Sequence, residues 1–263
     1  MTEIKVGIDT IILVAKTNND IQLHNEFYLS RKHKYFKYYC FQKGKYNLMI
    51  GSKNPYNMFY DTMLILQADA IHTPPPEILR ILQRYEWYIK RLDSAFDTVI
   101  PLNPYPSNFR KKLTEYKGTF YIGVPKSQVS LCCYNRNEKE KARGHGTRYE
   151  YNHRHEVRWK PKQQYKHPLK SLDYTELEKI LQDINLLDLK ENRIKSAYKT
   201  MIDNPLIMKK SSNAKLKREI KKEVSRHRIP LEKCISEIKQ LLTRLHELQN
   251  EQNTELKLEG KVV

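Results

Sequence analysis

Acidic, basic and tyrosine side chains recur at every second position in three strand-like segments of the chain. These segments cover residues 87–97, 130–135 and 147–159. Because successive side chains of a strand point to opposite faces, groups two residues apart share one face. In chain order, the groups that share a face are Arg91, Asp93 and Asp97, then Cys132 and Tyr134, then Arg148, Glu150 and Asn152.

This set of groups predicts chemistry at a phosphate. Carboxylates from neighbouring strands form an oxygen site suited to Mg²⁺ or Mn²⁺, and Asp93, Asp97 and Glu150 are the predicted ligands. A tyrosine beside such an ion is a candidate nucleophile, since its phenol, with a pKa of about 10, needs activation near neutral pH. Arg91 and Arg148 would neutralise the charge that a phosphate gains in the transition state.

Each of these signals also has an ordinary structural explanation. Arg-x-Asp and Arg-x-Glu pairs are often surface ion pairs, and most of the 18 tyrosines serve packing. His153 and His155 place two imidazoles on one strand face, with the charged Arg154 between them. We interpret them as an exposed surface pair, and as the alternative metal site if the acidic one fails.

The elements that must position these groups are a run of strands with helices between them. Runs rich in β-branched residues predict strands, and apolar residues spaced three and four apart after Thr73-Pro74-Pro75-Pro76 predict a helix ending near Tyr85. The predicted strands are 4–15, 46–50, 63–67, 87–97, 118–123, 130–135 and 147–159, with a short helix over 107–116 and a loop over 137–146.

The chain changes character after Pro168. Segments near 173–188, 190–203, 213–227 and 230–249 have helical apolar spacing, and residues 254–263 form a polar tail. We therefore expect an α+β fold with a mostly antiparallel sheet and packed helices over 1–168, an all-helical C-terminal region over 169–253, and a flexible tail.

The charge of the chain indicates a polyanionic partner. Lys and Arg number 48 against 30 Asp and Glu, a formal net charge of +18, and such an excess favours binding to nucleic acid. No stretch approaches the roughly 20 apolar residues of a transmembrane helix, and the N-terminus lacks a secretion signal. The four cysteines form no CxxC pair and predict reduced core thiols, so we expect a cytoplasmic protein that binds no membrane.

Two segments are candidate nucleic-acid surfaces. Residues 31–39 interleave tyrosine with lysine, which suits phosphate binding and base stacking, although a solvated strand or loop is an equal alternative. Residues 209–228 predict a basic helix that could lie on phosphates, with a solvated helix as an equal alternative. The candidate DNA contacts are Lys126, Arg136, Lys217, Arg218, Lys221 and Lys222.

The order of these segments resembles a known family. Residues 89–97 read Ile-Lys-Arg-Leu-Asp-Ser-Ala-Phe-Asp and resemble the I-T-R-L-D-x-A-x-D strand of plasmid rolling-circle replication initiation factors, the Rep_trans family. Residues 119–140 resemble its T-x-Y-x-G and R-x-Y-x-K-x-x-E region. Arg148-Tyr149-Glu150 lies where the family has an R-x-E strand, and Ile8-Asp9 resembles its early I-D strand.

The resemblance implies an enzyme that nicks and rejoins plasmid origin DNA, presented as a hairpin or single strand. Its nucleophile would be Tyr134, leaving a 5′-phosphotyrosine and a free 3′-OH that primes replication, with Tyr121 and Tyr151 as competing tyrosines. Asp93, Asp97 and Glu150 would hold the metal ion, with Asp9 as a fourth candidate. The family also implies a homodimer and a helicase partner.

Two positions depart from the family pattern. The Arg two residues before the tyrosine is Cys132 here, and the Lys two residues after it is Arg136. The alternative function is therefore a non-catalytic, sequence-specific DNA-binding regulator of replication or transcription. RNA binding ranks below both.

Overall fold

The fold was analysed in a computed structural model of the 263-residue chain. The parts of the chain that the structure describes are residues 3–18, 20–32, 36–51, 59–67, 70–106, 113–116, 118–123, 127–146, 148–162, 168–169, 174–187, 228–230 and 235–250, together with Ala214, Arg218 and Lys222.

The chain forms two compact units, each made of separate segments. Unit 1 comprises Met1–Val6, Ala95–Arg158 and Tyr174–Ser236, and unit 2 comprises Gly7–Ser94, Trp159–Asp173 and Glu237–Val263. This division is discontinuous along the chain, and the boundary predicted at residue 168 stays a prediction.

Unit 2 is built on an antiparallel sheet of β-branched and aromatic segments. Its strands are β1 (Lys5–Ala15), β2 (Tyr28–Lys32), β3 (Phe36–Phe41), β4 (Tyr46–Gly51), β5 (Thr62–Gln67) and β6 (Tyr88–Thr98). They follow the order β2-β3-β4-β5-β1-β6. The division between the units falls within β6, after Ser94.

One face of this sheet is buried by a helix. Helix α1 (Pro76–Arg84) begins with proline at its first position, where no backbone donor is lost. Its Ile78, Ile81 and Leu82 are buried, as are Leu13, Leu48 and Leu64 on the facing strands. The long helix α4 (Ile235–Asn250) adds Ile238, Leu242 and Leu245 to the buried set.

Unit 1 carries the other strands and two further helices. The strands are β7 (Asn103–Pro106), β8 (Leu113–Tyr116), β9 (Thr119–Ile122), β10 (Val129–Asn135), β11 (His153–Trp159), β12 (Ile184–Leu187) and β13 (Arg228–Pro230), and the helices are α2 (Arg136–Ala142) and α3 (Thr175–Asp183). The strand order is β6-β11-β10-β9-β8 in one sheet and β13-β12-β7 in a small second sheet.

Helix α2 forms where we predicted a loop. The side-chain oxygen of Asn135 accepts hydrogen bonds from the backbone N–H groups of Asn137 and Glu138, at 2.9 and 3.2 Å. This N-cap satisfies two donors that the first turn of a helix leaves unpaired. The charged residues that follow are good helix formers, so the polar composition of 137–146 hid a capped helix.

The structure confirms an α+β fold with a large antiparallel sheet, and corrects three element predictions. The all-helical C-terminal region is not supported, because β12 and β13 lie within it and pair in the small sheet. The predicted helix over 107–116 is wrong at 113–116, which form β8. The strand predicted over 147–159 begins only at His153. The predicted helix over 190–203 and the tail over 254–263 lie outside the described residues.

Among the residues that the structure describes, no helix combines the length and the apolar character needed to cross a membrane.

Candidate active site

Tyr134 lies on β10 in unit 1 and meets a buried carboxylate. Its phenol donates a hydrogen bond of 2.5 Å to Oε1 of Glu156 on β11. Glu156 is only 2% exposed, while Tyr134 is half-buried. Because both groups stand on strands of one sheet, the backbone fixes the direction of the phenol oxygen. The geometry gives this tyrosine an anionic acceptor for its proton.

Arg158 holds the other oxygen of the same carboxylate. Its Nη2 donates to Oε2 of Glu156 at 2.7 Å, and the two residues share one face of β11. Burial would raise the pKa of Glu156, but the hydrogen bonds from Tyr134 and Arg158 and the positive charges of Arg158 and Lys139 lower it below its ordinary value. Glu156 is therefore anionic at neutral pH.

A second cation stands beside the phenol. The Nζ of Lys139, on helix α2, lies 3.7 Å from the centroid of the Tyr134 ring. An ammonium over an aromatic face is attracted by the ring quadrupole. The Asn135 cap starts α2 immediately after β10, so Lys139 is held one helical turn beyond the end of that strand. Tyr134 is thus flanked by an anion and a cation.

The expected ligand Asp97 is engaged by arginines in the structure. Arg154 donates to Oδ1 and Oδ2 of Asp97 at 2.8 and 2.7 Å, and Arg136 donates to Oδ2 at 3.1 Å. The Arg136 guanidinium also lies 3.5 Å from the centroid of the Tyr149 ring. Asp97 is therefore the shared acceptor of an ion-pair network with two arginines. Its role as a metal ligand stays a prediction without geometric support.

The acidic pair of unit 2 consists of Asp9 on β1 and Asp93 on β6. Carboxylate oxygens of the two residues lie within 4.8 Å of one another, and Asp93 is 1% exposed. Hard carboxylate oxygens at this separation fit Mg²⁺ or Mn²⁺. Arg91 donates to both oxygens of Asp93, through Nε at 2.7 Å and through Nη2. A bound ion would compete with this guanidinium.

A second Arg-x-Glu pair lies within β11, six residues after the pair that we predicted. Arg148 and Glu150 are exposed and precede β11. Between them, the backbone of Tyr149 makes two hydrogen bonds with the Asn137 side chain, of 2.7 and 3.1 Å. The same spacing recurs at Arg154 and Glu156, within the strand. The structure therefore brings Glu156, rather than Glu150, to the tyrosine.

The two competing tyrosines have different surroundings. Tyr121 on β9 is half-buried and pairs with Cys132 across the sheet. A hydrogen bond with Glu3 raises the pKa of Tyr151 to about 12, which holds its phenol protonated. Tyr151 also has an acid and a cation beside it, namely Glu3 and Lys5, whose Nζ lies 5.0 Å from the ring centroid. Tyr134 differs in that its acceptor, Glu156, is buried and is held by Arg158.

The histidine pair is not the exposed surface pair that we expected. His155 is 2% exposed, and burial lowers its pKa to about 3. Burial also lowers the pKa of His153. Arg154, between them, contacts Asp97 instead of solvent. Both faces of β11 are covered, so alternation with a charged residue did not indicate exposure here.

The predicted DNA contacts are described only in part. Arg218 and Lys222 are helical and exposed. Arg136 lies at the start of α2, engaged as described above. Lys126, Lys217 and Lys221 lie outside the described residues.

Glu156, Arg158 and Lys139 are not among the site residues that we predicted from the sequence. The alternation of Arg154, Glu156 and Arg158 with the apolar Val157 and Trp159 marks residues 154–159 as a strand with a charged face, and was available in the sequence. The position of Lys139 depends on a helix that starts at Asn135, which the loop prediction excluded.

No family model matches the chain, and no curated protein matches it. The chain is similar to a structure described as a rolling circle replication initiator protein from Geobacillus stearothermophilus, with a TM-score of 0.44 and 16% identity, over 72% of this chain and 89% of that one.

Proposed function

We propose that this protein initiates rolling-circle replication by nicking and rejoining origin DNA, with Tyr134 as the nucleophile. The observation that carries the proposal is the short hydrogen bond from the Tyr134 phenol to the buried Glu156 carboxylate. The order of motifs that resembles the Rep_trans family supports a DNA phosphate as the substrate. The net charge of +18 suits a polyanionic partner.

The residues of unit 1 account for the nucleophile. As the phenol oxygen of Tyr134 attacks the scissile phosphorus, its proton passes to Glu156. The bond from phosphorus to the 3′-oxygen breaks, and that oxygen leaves as a 3′-OH after taking up a proton. The product is a 5′-phosphotyrosine, so no external energy source is needed for rejoining. In the reverse step, the 3′-OH attacks the same phosphorus and releases the phenol.

Two cations support this step. Arg158 keeps Glu156 anionic, because its hydrogen bond and its charge lower the pKa of that carboxyl below the ordinary value. Lys139, beside the ring, supplies positive charge where the tyrosine acquires a phosphate. We assign it the role that the missing Arg at position 132 would otherwise fill.

A divalent ion is part of the proposal. Asp9 and Asp93 would hold Mg²⁺ or Mn²⁺, and such an ion would supply Lewis-acid chemistry when bound. The separation of their oxygens and their oxygen-only chemistry fit such an ion. A homodimer and a helicase partner follow from the resemblance alone.

The test is a covalent adduct. Labelled hairpin and single-stranded oligonucleotides tiled across the chain's own replicon are incubated with protein and Mn²⁺, then separated on denaturing gels. We expect a shifted band that EDTA abolishes and that Tyr134→Phe removes. Tyr121→Phe and Tyr151→Phe are matched controls that should keep it. A band that persists in Tyr134→Phe but is lost in a control reassigns the nucleophile.

One observation favours the alternative of a non-catalytic DNA-binding regulator. Arg91 neutralises Asp93 through both oxygens, which opposes metal binding. In that case, an origin fragment binds tightly and specifically, yet no covalent band forms with any divalent ion.

A further inference from the structure

A long stretch of the chain combines many cations and aromatic rings with no acid. Residues 27–60 contain seven Lys or Arg, eleven Phe or Tyr, and no Asp or Glu. Phosphates and unpaired bases are bound by this combination of side chains. The proposed nicking chemistry does not use the segment, which contributes β2, β3 and β4 to unit 2.

The pairing register shows which of these side chains share a face. Tyr39 on β3 lies opposite Leu48 on β4, and the Leu48 side chain is fully buried. The row of side chains across the strands that contains Tyr39 and Leu48 therefore points to the core. The neighbouring row points the other way, and in it Tyr38 lies opposite Arg31 on β2 and Met49 on β4. Tyr38 and Met49 are half-buried and Arg31 is exposed.

Aromatic groups extend along this outer face. The rings of Phe36 and Tyr38, two residues apart on β3, meet edge to face with centroids 5.0 Å apart. Tyr28, on the edge strand β2, lies opposite Cys40, two residues beyond Tyr38, and is 54% exposed. We name the set Tyr28, Arg31, Phe36, Tyr38 and Met49 the outer face.

A further cation borders the face. The row through Met49 continues to Met63 on β5, whose sulfur lies 3.8 Å from Nζ of Lys90. The same ammonium lies 4.6 Å from the centroid of the Tyr60 ring. The aromatic rings of β3 and the methionine sulfurs of β4 and β5 therefore lie between two cations, Arg31 and Lys90.

We propose that the outer face binds single-stranded DNA without sequence preference. Unpaired bases expose the π-faces that stack on tyrosine and phenylalanine, whereas a duplex hides them, and the cations suit the phosphates. A second copy of the same face is a poor occupant, because residues 27–60 carry seven Lys or Arg and no acid, so two such faces would repel each other. The source of the strand rests on the proposed function: nicking and displacement release single-stranded DNA.

The test measures binding to DNA that contains no origin sequence. Fluorescence anisotropy with labelled dT20 gives Kd for the full chain over a range of salt concentrations. Tyr38→Leu keeps an apolar side chain but removes the ring, and should weaken binding about tenfold. Tyr38→Phe keeps the ring and should bind like wild type. Tyr116→Leu is the matched control, since Tyr116 is an exposed strand tyrosine of unit 1.

The charge contribution is measured separately. Each phosphate contact to a single strand contributes about 0.7 to the slope of log Kd against log salt, so Arg31→Gln should lower the slope by about that amount. Arg244→Gln, at an exposed position of α4, should leave it unchanged. Tyr28→Ala repeats the stacking test at an exposed edge position, where substitution does not disturb the core.

The outcomes are separable from those of the nicking test. Loss of dT20 binding in Tyr38→Leu and Tyr28→Ala, with the Tyr134 adduct retained, supports the outer face. If dT20 binds equally to wild type and both variants, the proposal is wrong, whether or not an adduct forms. If rU20 competes as well as dT20, the commitment to DNA is wrong. If dT20 binding is lost in the variants but no adduct ever forms, the proposal for the outer face is supported and the proposed nicking activity is contradicted.

Discussion

The phenol of Tyr134 and the carboxylate of Glu156 are joined by a 2.5 Å hydrogen bond within unit 1. Charge-assisted bonds of this kind are shorter and stronger than neutral ones. Arg158 holds the opposite oxygen of the carboxylate, so the acceptor is fixed from both sides. The orientation of the proposed nucleophile is therefore set before any DNA binds.

Removing the charge of Glu156 should slow nicking. Glu156→Gln keeps an oxygen that accepts the phenol hydrogen bond, but it takes up no proton. We expect the rate of adduct formation in a single turnover to fall about 100-fold, the lower range for loss of a general base. Glu138→Gln, at an exposed acid of α2, is the control. Equal rates for Glu156→Gln and wild type would remove Glu156 from the mechanism.

Lys139 should matter through its charge. Lys139→Met keeps much of the side-chain volume but removes the ammonium beside the Tyr134 ring, and we expect adduct formation to slow about tenfold, which is about 1.4 kcal/mol of transition-state stabilisation. Lys139→Arg should restore most of the rate. Lys141→Met, two residues further along α2 and exposed, should have no effect. A fast Lys139→Met variant would contradict the assignment.

Substitution of Asp93 should weaken metal binding, whereas substitution of Asp97 should lower the stability of the fold. Electron paramagnetic resonance of free Mn²⁺ measures the affinity of each variant. Asp93→Asn should bind Mn²⁺ at least tenfold more weakly, because one carboxylate of the acidic pair is lost. Asp97→Asn should bind as wild type does.

The effect of Asp97→Asn should appear in unfolding instead. It leaves Arg154 and Arg136 without their anion, which should lower the free energy of unfolding by about 2 kcal/mol. Urea denaturation at pH 7 measures this loss. A stable Asp97→Asn variant with weak Mn²⁺ binding would restore the ligand role that the sequence predicted.

His155 should make the protein less stable in mild acid. Burial holds its pKa at about 3, whereas an unfolded histidine titrates near 6.5. Between these values the unfolded chain binds a proton that the folded chain excludes. The free energy of unfolding therefore falls as pH drops below about 6.5, by up to about 1.4 kcal/mol per pH unit for this group.

Urea denaturation between pH 5.0 and 7.5 tests this dependence. His155→Gln should flatten the slope, while His24→Gln, at an exposed position, should not change it. The lowered pKa of His153 adds to the wild-type slope in the same direction. Glu156 acts at lower pH: its pKa is lowered, so its contribution is lost only as pH falls below the ordinary glutamate range. An unchanged slope in His155→Gln would refute the assignment.

Much of the fold could be predicted from the sequence, because β-branched runs and a proline-initiated helix are local signals. The strands around Ile11, Leu48, Leu64 and Phe96 agree with the structure to within a few residues at each end. Strand β12, by contrast, is four residues of Ile-Asn-Leu-Leu that follow a helix directly. Such a short apolar run shows no alternation of apolar and polar residues that would predict a strand, and the strands that pair with it are far away in the chain.

The site was harder to predict because the alternation of side chains along a strand shows which residues share a face, but not which of them lies at the site. Glu150 and Glu156 are six residues apart, so period-two alternation places both on the same face. The buried Val157 and Trp159 distinguish them, because they show where the strand lies. Asp93 and Asp97 are likewise equivalent in sequence. Their different roles depend on which neighbouring strand supplies acids and which supplies arginines, and that is a property of the tertiary structure.

Cys132 occupies a position that has no room for a charged side chain. Its side chain is 4% exposed, so an arginine introduced there would bury a guanidinium in a space filled by a thiol. Uncompensated buried charge is strongly destabilising. Arginine at this position would therefore be tolerated only together with changes in the side chains that surround it.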